Sequence, residues 1–154
     1  MRHGKSGYPD GVGDHQRPLA ERGRREAALA GRWMSDAGLT VDAVLCSTST
    51  RTRQTLQRTG IAAPTTYLDD IYGGDPNDVF EAIRVHAPAA AATILVVGHD
   101  PGMPSTALTL DPDAQIPRFP TSAYAVMQIG SSWAEIGLTP DPGNRMIQMS
   151  IPRE

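Results

Sequence analysis

Residues 93–102 read TILVVGHDPG, an apolar run that passes directly into a turn. The run from Ile94 to Val97 contains no polar residue, a pattern typical of a strand that is buried on both faces in a parallel sheet. The proline and glycine that end the stretch favour a tight turn into a helix over about 103–110. Ligand sites in such sheets lie outside the carboxyl ends of the strands. We therefore expect His99 at a functional edge, although a structural histidine satisfied by backbone groups is the alternative.

A second stretch, AVLCSTSTRTRQT at residues 43–55, has the same organisation. Its apolar start predicts another buried parallel strand, and the Ser/Thr cluster after it predicts a turn at 47–51 into a helix over about 51–58. Ser47 would end the strand. Arg51 would lie in the first turn of the helix, where free N–H groups and the helix dipole favour an anion. A plain N-cap with a surface arginine explains this stretch equally well when it is taken alone.

The remaining periodicity predicts further helices and strands around this pair. A helix is expected over about 20–37, ended by Gly38, and another begins at Asp75-Pro76 and runs to about 86, with Val79, Ile83 and His86 on one face. Two final strands are expected at 123–129 and 132–138, joined by Gly130-Ser131. The alternation of strands and helices predicts an α/β fold. No repeat or linker divides the chain, so residues 1–154 are expected to form one domain.

Composition excludes several classes of protein. Hydrophobic residues make up 40% of the 154 residues, but no apolar run approaches the ~20 residues of a membrane span. The polar start lacks a secretory signal, which predicts a cytoplasmic protein without membrane contact. With a net charge of −3, the chain lacks the overall positive charge that is typical of a nucleic-acid-binding protein. The lone Cys46 excludes an intrachain disulfide and a cysteine-rich zinc module, and 13 of the 14 basic residues are arginine, so anions would be bound by guanidinium groups.

Arginine and histidine recur at the predicted sheet edge and at the start of the chain. Arg2-His3-Gly4 places a guanidinium beside an imidazole, and the glycine lets the backbone approach a ligand closely. A solvated chain terminus is the ordinary explanation of these three residues alone. Together with Arg51 and His99, they predict a pocket for a dianionic phosphoryl group, with one neutral imidazole free to attack.

Five segments in order resemble the histidine phosphatase superfamily, most closely its short SixA-type phosphohistidine phosphatases. They are RHGKS at 2–6, DHQRPLAERG at 14–23, CSTSTRTRQT at 46–55, VVGHDPG at 96–102 and FPTS at 119–122. The resemblance implies a three-layer α/β/α sandwich with a mostly parallel central sheet. It implies that His3 is the nucleophile that becomes phosphohistidine, that Arg2 and Arg51 bind the phosphoryl oxygens, and that His99 supports the transferring group. No metal and no other cofactor are implied.

The general acid is the open part of this prediction. Many relatives use a glutamate after the third strand, and Asp70 is the candidate by position, with an exposed acidic loop as the alternative. Gly4, Lys5, Arg17 and Ser47 are predicted to bind the substrate. Asp14 and His15 are further candidates for the rim of the pocket, with a solvated loop histidine as the alternative for His15.

The chain also departs from the family pattern, because relatives carry an apolar central strand immediately before Arg2-His3-Gly4 and here only Met1 stands there. The absence predicts a gap in the sheet with unpaired backbone groups. The gap is compatible with a start site placed too late, with a segment from elsewhere in the chain, with a strand from a second chain, or with numbering that begins inside a longer protein.

These observations predict a metal-independent phosphohydrolase with phosphohistidine on a protein as the preferred substrate, because the short chain lacks insertions that would build a lid. A small phosphate ester is the alternative substrate. A non-catalytic phosphate-binding module is the alternative function. It is expected if residues 1–6 are mobile, so that His3 is not held at the end of a strand.

Overall fold

The computed structural model describes all residues from 1 to 154 and contains five strands and four α-helices. Strands β1, β2 and β3 form a parallel sheet in the order β2-β1-β3, and β4 and β5 form an antiparallel pair. The strands are β1 Ala43–Ser47, β2 Thr65–Leu68, β3 Ile94–Val97, β4 Tyr124–Gln128 and β5 Arg145–Ser150. The helices are α1 Glu21–Asp36, α2 Thr50–Thr59, α3 Pro76–His86 and α4 Gly102–Leu110.

Helices cover both faces of the parallel sheet. All five residues of β1 are buried, because alternate side chains point to opposite faces and each face is covered. Leu45 packs in a core cluster with side chains of α3 and α4, whereas Val44 and Cys46 pack in a second cluster with side chains of α1 and α2. The three-layer α/β/α arrangement predicted from the sequence is confirmed.

The helix ends follow local sequence signals. Helix α1 stops at Asp36, and Gly38 after it has φ +74°, a conformation that glycine adopts without steric cost. Helix α3 begins with a capping box, in which the Asp75 and Asp78 side chains each accept the other residue's backbone N–H. One detail of the prediction is wrong: His86 ends α3 but is exposed and does not share the buried face of the helix.

The prediction of the last two strands is half right. β4 lies within the predicted 123–129, but residues 132–138 do not form its partner. Trp133–Glu135 is a 3-10 turn, because Trp133 and Ile136, three residues apart, point the same way against α3. The Trp133 indole N–H also donates to the Ala91 carbonyl at 2.7 Å. The true partner of β4 is β5, which begins at Arg145, beyond a loop.

The first three residues join the two sheets. The Met1 amino group donates to the Val96 carbonyl at 2.8 Å, and the Met1 carbonyl accepts the Gly98 N–H at 2.9 Å. On the other side, the Arg2 N–H donates to Ala123 and the Ser122 N–H donates to the His3 carbonyl, each at 2.9 Å. The chain start therefore lies between β3 and the segment that leads into β4, and it is fixed by main-chain hydrogen bonds.

The gap predicted ahead of Arg2 is present as a groove. Beyond Met1, a cavity of about 170 Å³ lies between β3 and β4, and 20 of its 22 lining residues are hydrophobic, among them Met34, Ile94 and Met127. Since β3 has no strand on this side apart from residues 1–3, the outer backbone edge of Ile94 faces the groove. None of the helices is long and apolar enough to cross a membrane.

Candidate active site

His3 lies at the carboxyl edge of the sheet with one ring nitrogen fixed. Its backbone N–H donates to the Gly98 carbonyl at 3.0 Å. Its Nδ1 lies 2.7 Å from the Gly4 carbonyl oxygen, which can only accept, so Nδ1 carries the proton and donates. Nε2 is left as the unprotonated ring nitrogen. The side chain is only 7% exposed, so this lone pair points into the site and not into bulk water.

Arg51 is aimed at this nitrogen from the first turn of α2. Ser49 caps the helix by accepting the Thr52 N–H, so the turn that carries Arg51 is fixed by its own sequence. The Arg51 Nε donates to His3 Nε2 at 3.4 Å. Its Nη1 donates to the Asp14 carbonyl at 2.7 Å, and its Nη2 donates to the Asp14 carboxylate at 3.1 Å. A buried guanidinium therefore lies directly beside the unprotonated nitrogen of His3.

His99 follows β3 and lies on the other side of the same space. Its ring centroid is 5.3 Å from that of His3, and its Nδ1 is 3.5 Å from Nη2 of Arg51. Its Nε2 bonds the Ser47 hydroxyl at 2.8 Å, and Ser47 in turn accepts the Ser49 N–H. Ser47 is fully buried behind the ring, so it orients His99 from the protein side and leaves Nδ1 facing the site.

Both histidines are held neutral. Burial, the largest effect, lowers the pKa of His3 to about 3; the positive charges of Arg51 and Arg2 lower it further, whereas the Gly4 hydrogen bond acts in the opposite direction. Burial, followed by the Arg51 charge, lowers the pKa of His99 to about 4. At physiological pH the site therefore holds two uncharged imidazoles between fixed guanidinium groups.

Arg2 supplies the second guanidinium of the cleft. Its Nη1 donates to the Phe119 carbonyl at 3.0 Å, which anchors one side of the planar group. Its Nε is buried without a hydrogen-bond partner inside the protein. An unpaired buried N–H on a charged group is costly. Arg2 also lines the cleft, so its positive charge is available to an oxyanion bound there.

These side chains line one cleft of about 510 Å³ with a strongly polar wall. Its charged lining residues are Arg2, Lys5, Asp14, Arg17, Arg51 and Asp100. The four cations outnumber the two carboxylates although the whole chain carries a net charge of −3, so the positive charge is local. No group of three or more His, Cys, Asp or Glu side chains is arranged to hold a metal ion.

The predicted substrate-binding residues occupy different positions. Lys5 and Arg17 line the cleft. Ser47 lies behind His99, as described above, and Gly4 lies below the cleft, where its N–H donates to the Thr55 hydroxyl at 2.8 Å. A Cβ at Gly4 would approach the Gly23 carbonyl oxygen to 2.9 Å, so this glycine is required by close packing of the backbone.

The predicted acid Asp70 is exposed on the 3-10 turn Asp69–Ile71 and does not line the cleft. The carboxylates that do line it are Asp14 and Asp100. Sequence reasoning also missed Tyr72, whose ring lies edge-on to His99 with centroids 5.3 Å apart. No local pattern marks Tyr72, because it enters the cleft from a loop that only tertiary packing brings there.

Comparison with known proteins identifies the group to which this chain belongs. The family model for the histidine phosphatase superfamily (branch 1) matches residues 1–71. An uncharacterized protein of Mycobacterium tuberculosis is 45% identical, over 99% of this chain and 100% of its own. A solved structure from Nakamurella multipartitia, named as a SixA phosphohistidine phosphatase, is 36% identical with a TM-score of 0.89, over 99% of this chain and 93% of that one. The chain belongs to the histidine phosphatase superfamily. A tungstate complex of the protein histidine phosphatase SixA is also similar, at 25% identity and a TM-score of 0.81, over 99% of this chain and 94% of that one.

Membership of the histidine phosphatase superfamily confirms the resemblance stated from the five sequence segments, and with it the predicted fold and the prediction of a phosphatase. Arg2, His3, Arg51 and His99 line one cleft of this histidine phosphatase, whereas Gly4 lies below it.

Proposed function

We propose that this histidine phosphatase removes the phosphoryl group from phosphohistidine on a protein, with His3 as the nucleophile. The observation that carries the proposal is the neutral imidazole of His3, whose unprotonated Nε2 accepts a hydrogen bond of 3.4 Å from Nε of the buried Arg51. A nucleophile needs that lone pair, and a phosphoryl group needs the neighbouring positive charge.

In the first step, Nε2 of His3 attacks phosphorus in line with the bond to the leaving group. A P–N bond forms at Nε2 while the substrate's P–N bond breaks, and its electron pair stays on the departing imidazole nitrogen, which takes a proton from solvent water. Arg2 and Arg51 neutralise the charge on the equatorial oxygens, and Nδ1 of His99 faces the same space. Phosphoryl transfer depends mainly on such positioning and charge stabilisation.

In the second step, a water molecule attacks phosphorus, and the P–N bond to His3 breaks. The electron pair returns to Nε2, the water loses a proton to solvent, and inorganic phosphate leaves. The proton on Nδ1 stays bonded to the Gly4 carbonyl throughout, so the ring keeps one tautomer and the enzyme returns to its starting state.

Two considerations favour phosphohistidine over an ester. The Nakamurella multipartitia structure and the tungstate complex carry SixA names that refer to phosphohistidine or to a protein histidine phosphatase. In addition, a departing imidazole is easily protonated, so the reaction needs little help from an acid. Asp70 as general acid stays a prediction. A small phosphate ester remains the second candidate substrate, because a cleft of about 510 Å³ has room for one.

The non-catalytic alternative required a chain start that does not place His3. Instead, Met1 to His3 are fixed on both sides by hydrogen bonds to Val96, Gly98, Ser122 and Ala123. This geometry favours the enzyme. The cytoplasmic location and the identity of the phosphorylated partner stay predictions.

The test is phosphate release from a phosphohistidine peptide and from p-nitrophenyl phosphate in the presence of EDTA, for the unchanged protein, for His3→Ala and for His86→Ala as a matched control at an exposed histidine. We expect activity that survives EDTA, is unchanged in His86→Ala and is lost in His3→Ala, with kcat/KM higher for the peptide. A higher kcat/KM for the ester would refute the substrate class, and full activity in His3→Ala would refute the nucleophile.

A further inference from the structure

Asp14 and Tyr72 form a polar group at the mouth of the cleft that the reaction described above does not use. Asp14 begins the 3-10 turn Asp14–Gln16, and Tyr72 follows the 3-10 turn at the end of β2. The Tyr72 hydroxyl donates to Oδ2 of Asp14, the same oxygen that accepts Nη2 of Arg51 at 3.1 Å. One carboxylate oxygen therefore links two segments that are 58 residues apart to the guanidinium beside His3.

The link is made by two groups of the aspartate. The Asp14 carbonyl accepts Nη1 of Arg51 at 2.7 Å, and its carboxylate accepts Nη2, so both terminal nitrogens of the guanidinium are engaged. Nε is the remaining donor nitrogen, and it points to His3 Nε2. This pairing fixes the plane of the guanidinium, because two parallel donors are held by one residue.

The carboxylate is itself held in place. Its second oxygen, Oδ1, accepts Nε of Arg17 at 3.0 Å. The Tyr72 hydroxyl, followed by Arg17 and Arg51, lowers the pKa of Asp14 well below its usual range, although its side chain is 57% exposed. The same contact raises the pKa of Tyr72 above its usual range, so the hydroxyl stays a donor. An ionised Asp14 cannot serve as the acid for the leaving group, and its carboxylate is available only as an acceptor.

We propose that Asp14 and Tyr72 are positioning residues that hold the guanidinium of Arg51 beside Nε2 of His3, where it faces the equatorial oxygens of the phosphoryl group. Arg51 has a long side chain that loses much rotamer freedom when it is fixed. The hydrogen bonds to Asp14 meet that ordering cost before substrate arrives, so the positive charge is in place when the transition state forms. The proposal rests on the phosphatase reaction proposed above and is independent of which phosphorylated substrate is natural.

A purely structural role would look different. Both side chains lie at the surface of the cleft and neither is buried, so the core does not depend on them. Tyr72→Phe keeps the ring against His99 and removes only the hydroxyl. Asp14→Asn keeps the size and the backbone carbonyl contact but removes the charge that pairs with Arg51.

The experiment measures kcat, KM and Tm for Asp14→Asn and Tyr72→Phe with p-nitrophenyl phosphate and with a phosphohistidine peptide. Asp10→Asn, on the same loop, and Tyr67→Phe, at an exposed tyrosine, are the matched controls. We expect kcat to fall about 10- to 100-fold for Asp14→Asn and less for Tyr72→Phe, as is typical of lost supporting contacts around a reactive group. Tm should change little, KM should rise by a smaller factor than that by which kcat falls, and both controls should match the unchanged protein.

A double-mutant cycle shows whether the effect runs through Arg51. If Asp14 acts only by holding that guanidinium, Asp14→Asn should cost nothing further in an Arg51→Ala background, since nothing is left to position. An equal loss in both backgrounds, or no loss in the unchanged background, would overturn the proposal.

Equilibrium binding of tungstate separates this inference from the proposed function. It is measured for the unchanged protein, Asp14→Asn, Arg51→Ala and the double variant. Asp14→Asn should weaken tungstate binding when Arg51 is present and leave it unchanged in Arg51→Ala. Asp14-dependent tungstate binding without hydrolysis of any phosphorylated substrate would reject the proposed activity and leave the positioning role standing. A tungstate affinity that Asp14→Asn leaves unchanged in both backgrounds would reject the positioning role.

Discussion

At the scale of single residues, the site depends on imidazoles that burial keeps uncharged. Burial of His3, which is only 7% exposed, is the main reason why its ring stays neutral, and the two neighbouring arginines further disfavour a third positive charge. The Gly4 carbonyl then selects the tautomer, because it can only accept a hydrogen bond and therefore requires the proton on Nδ1. Reactivity at Nε2 is therefore set by one backbone oxygen and by the depth of burial.

Replacing Arg51 separates catalysis from folding at this scale. Arg51→Ala should reduce kcat/KM by about 10² to 10³-fold, the usual cost of one preorganised charge donor. Tm should fall little, because its partner Asp14 remains exposed to water and does not become a buried unpaired charge. Steady-state kinetics and thermal unfolding measure both quantities.

Arg53→Ala is the matched control, since Arg53 lies two residues after Arg51 in α2 and does not line the cleft. Its guanidinium stacks on the exposed Tyr67 ring, 4.0 Å from the ring centroid. Near-normal turnover in Arg51→Ala, or an equal loss in Arg53→Ala, would contradict the role of Arg51.

At the scale of secondary-structure elements, two strand-turn-helix units build the cleft. β1 leads through Ser47 to α2 and Arg51, and β3 leads through His99 to α4. Because β1 and β3 are parallel neighbours, their carboxyl ends meet at one edge and bring Ser47 within 2.8 Å of His99. The chain start adds His3 beside them by pairing with the end of β3.

The groove beyond Met1 makes a prediction about stability. Three added apolar residues, Val-Leu-Val, ahead of Met1 should raise Tm by several degrees. Burial of each apolar side chain is worth about 1.5–3 kcal/mol, but fixing the backbone of each added residue costs about 1–2 kcal/mol, and about 2–4 °C of Tm accompanies each remaining kcal/mol in a domain of this size. The addition also replaces the Met1 amino group, whose pKa burial lowers to about 5, by a neutral amide.

Thermal unfolding measures the effect, with an added Ser-Gly-Ser of equal length as control. The polar addition should give a smaller gain, because it cannot cover the apolar lining of the groove. Equal Tm values for the two additions would show that the groove does not accept an apolar strand.

At the scale of the whole molecule, the same buried groups make stability depend on pH. The pKa of His3 falls from 6.5 to about 3, that of His99 from 6.5 to about 4, and that of the Met1 amino group from 8.0 to about 5. Between about pH 5 and 6.5, the unfolded chain binds protons that the folded chain does not. The free energy of unfolding therefore falls as pH is lowered through this window.

Tm measured from pH 7.5 to pH 5 should accordingly decrease. His99→Gln, which keeps a hydrogen-bonding group near Ser47, should make the decrease shallower, whereas His86→Gln at an exposed position should leave it unchanged. Each group that is protonated in the unfolded chain but not in the folded chain changes the free energy of unfolding by at most about 1.4 kcal/mol per pH unit. A constant Tm over this range would mean that the histidines are not desolvated.

Much of this architecture was predictable from local patterns. The apolar runs before Ser47 and Gly98 predicted β1 and β3, and Asp75-Pro76 predicted the start of α3. These predictions are possible because burial on both faces and helix capping each depend on residues that are neighbours in the sequence. The second strand at 132–138 was predicted wrongly, because alternation over a few residues does not separate a strand from a turn with period three.

The sequence by itself determined the α/β class, the two strand-turn-helix units and the Arg2, His3, Arg51 and His99 set, since each is encoded by apolar runs, caps and charges close together in the chain. Only the tertiary structure decided how these four side chains are positioned and which of them are charged. The pairing of residues 1–3 with β3, the meeting of Asp14 and Tyr72 on Arg51, and the burial that keeps both imidazoles neutral all join segments far apart in sequence. Contacts of that kind depend on how the layers pack, and no local pattern records them.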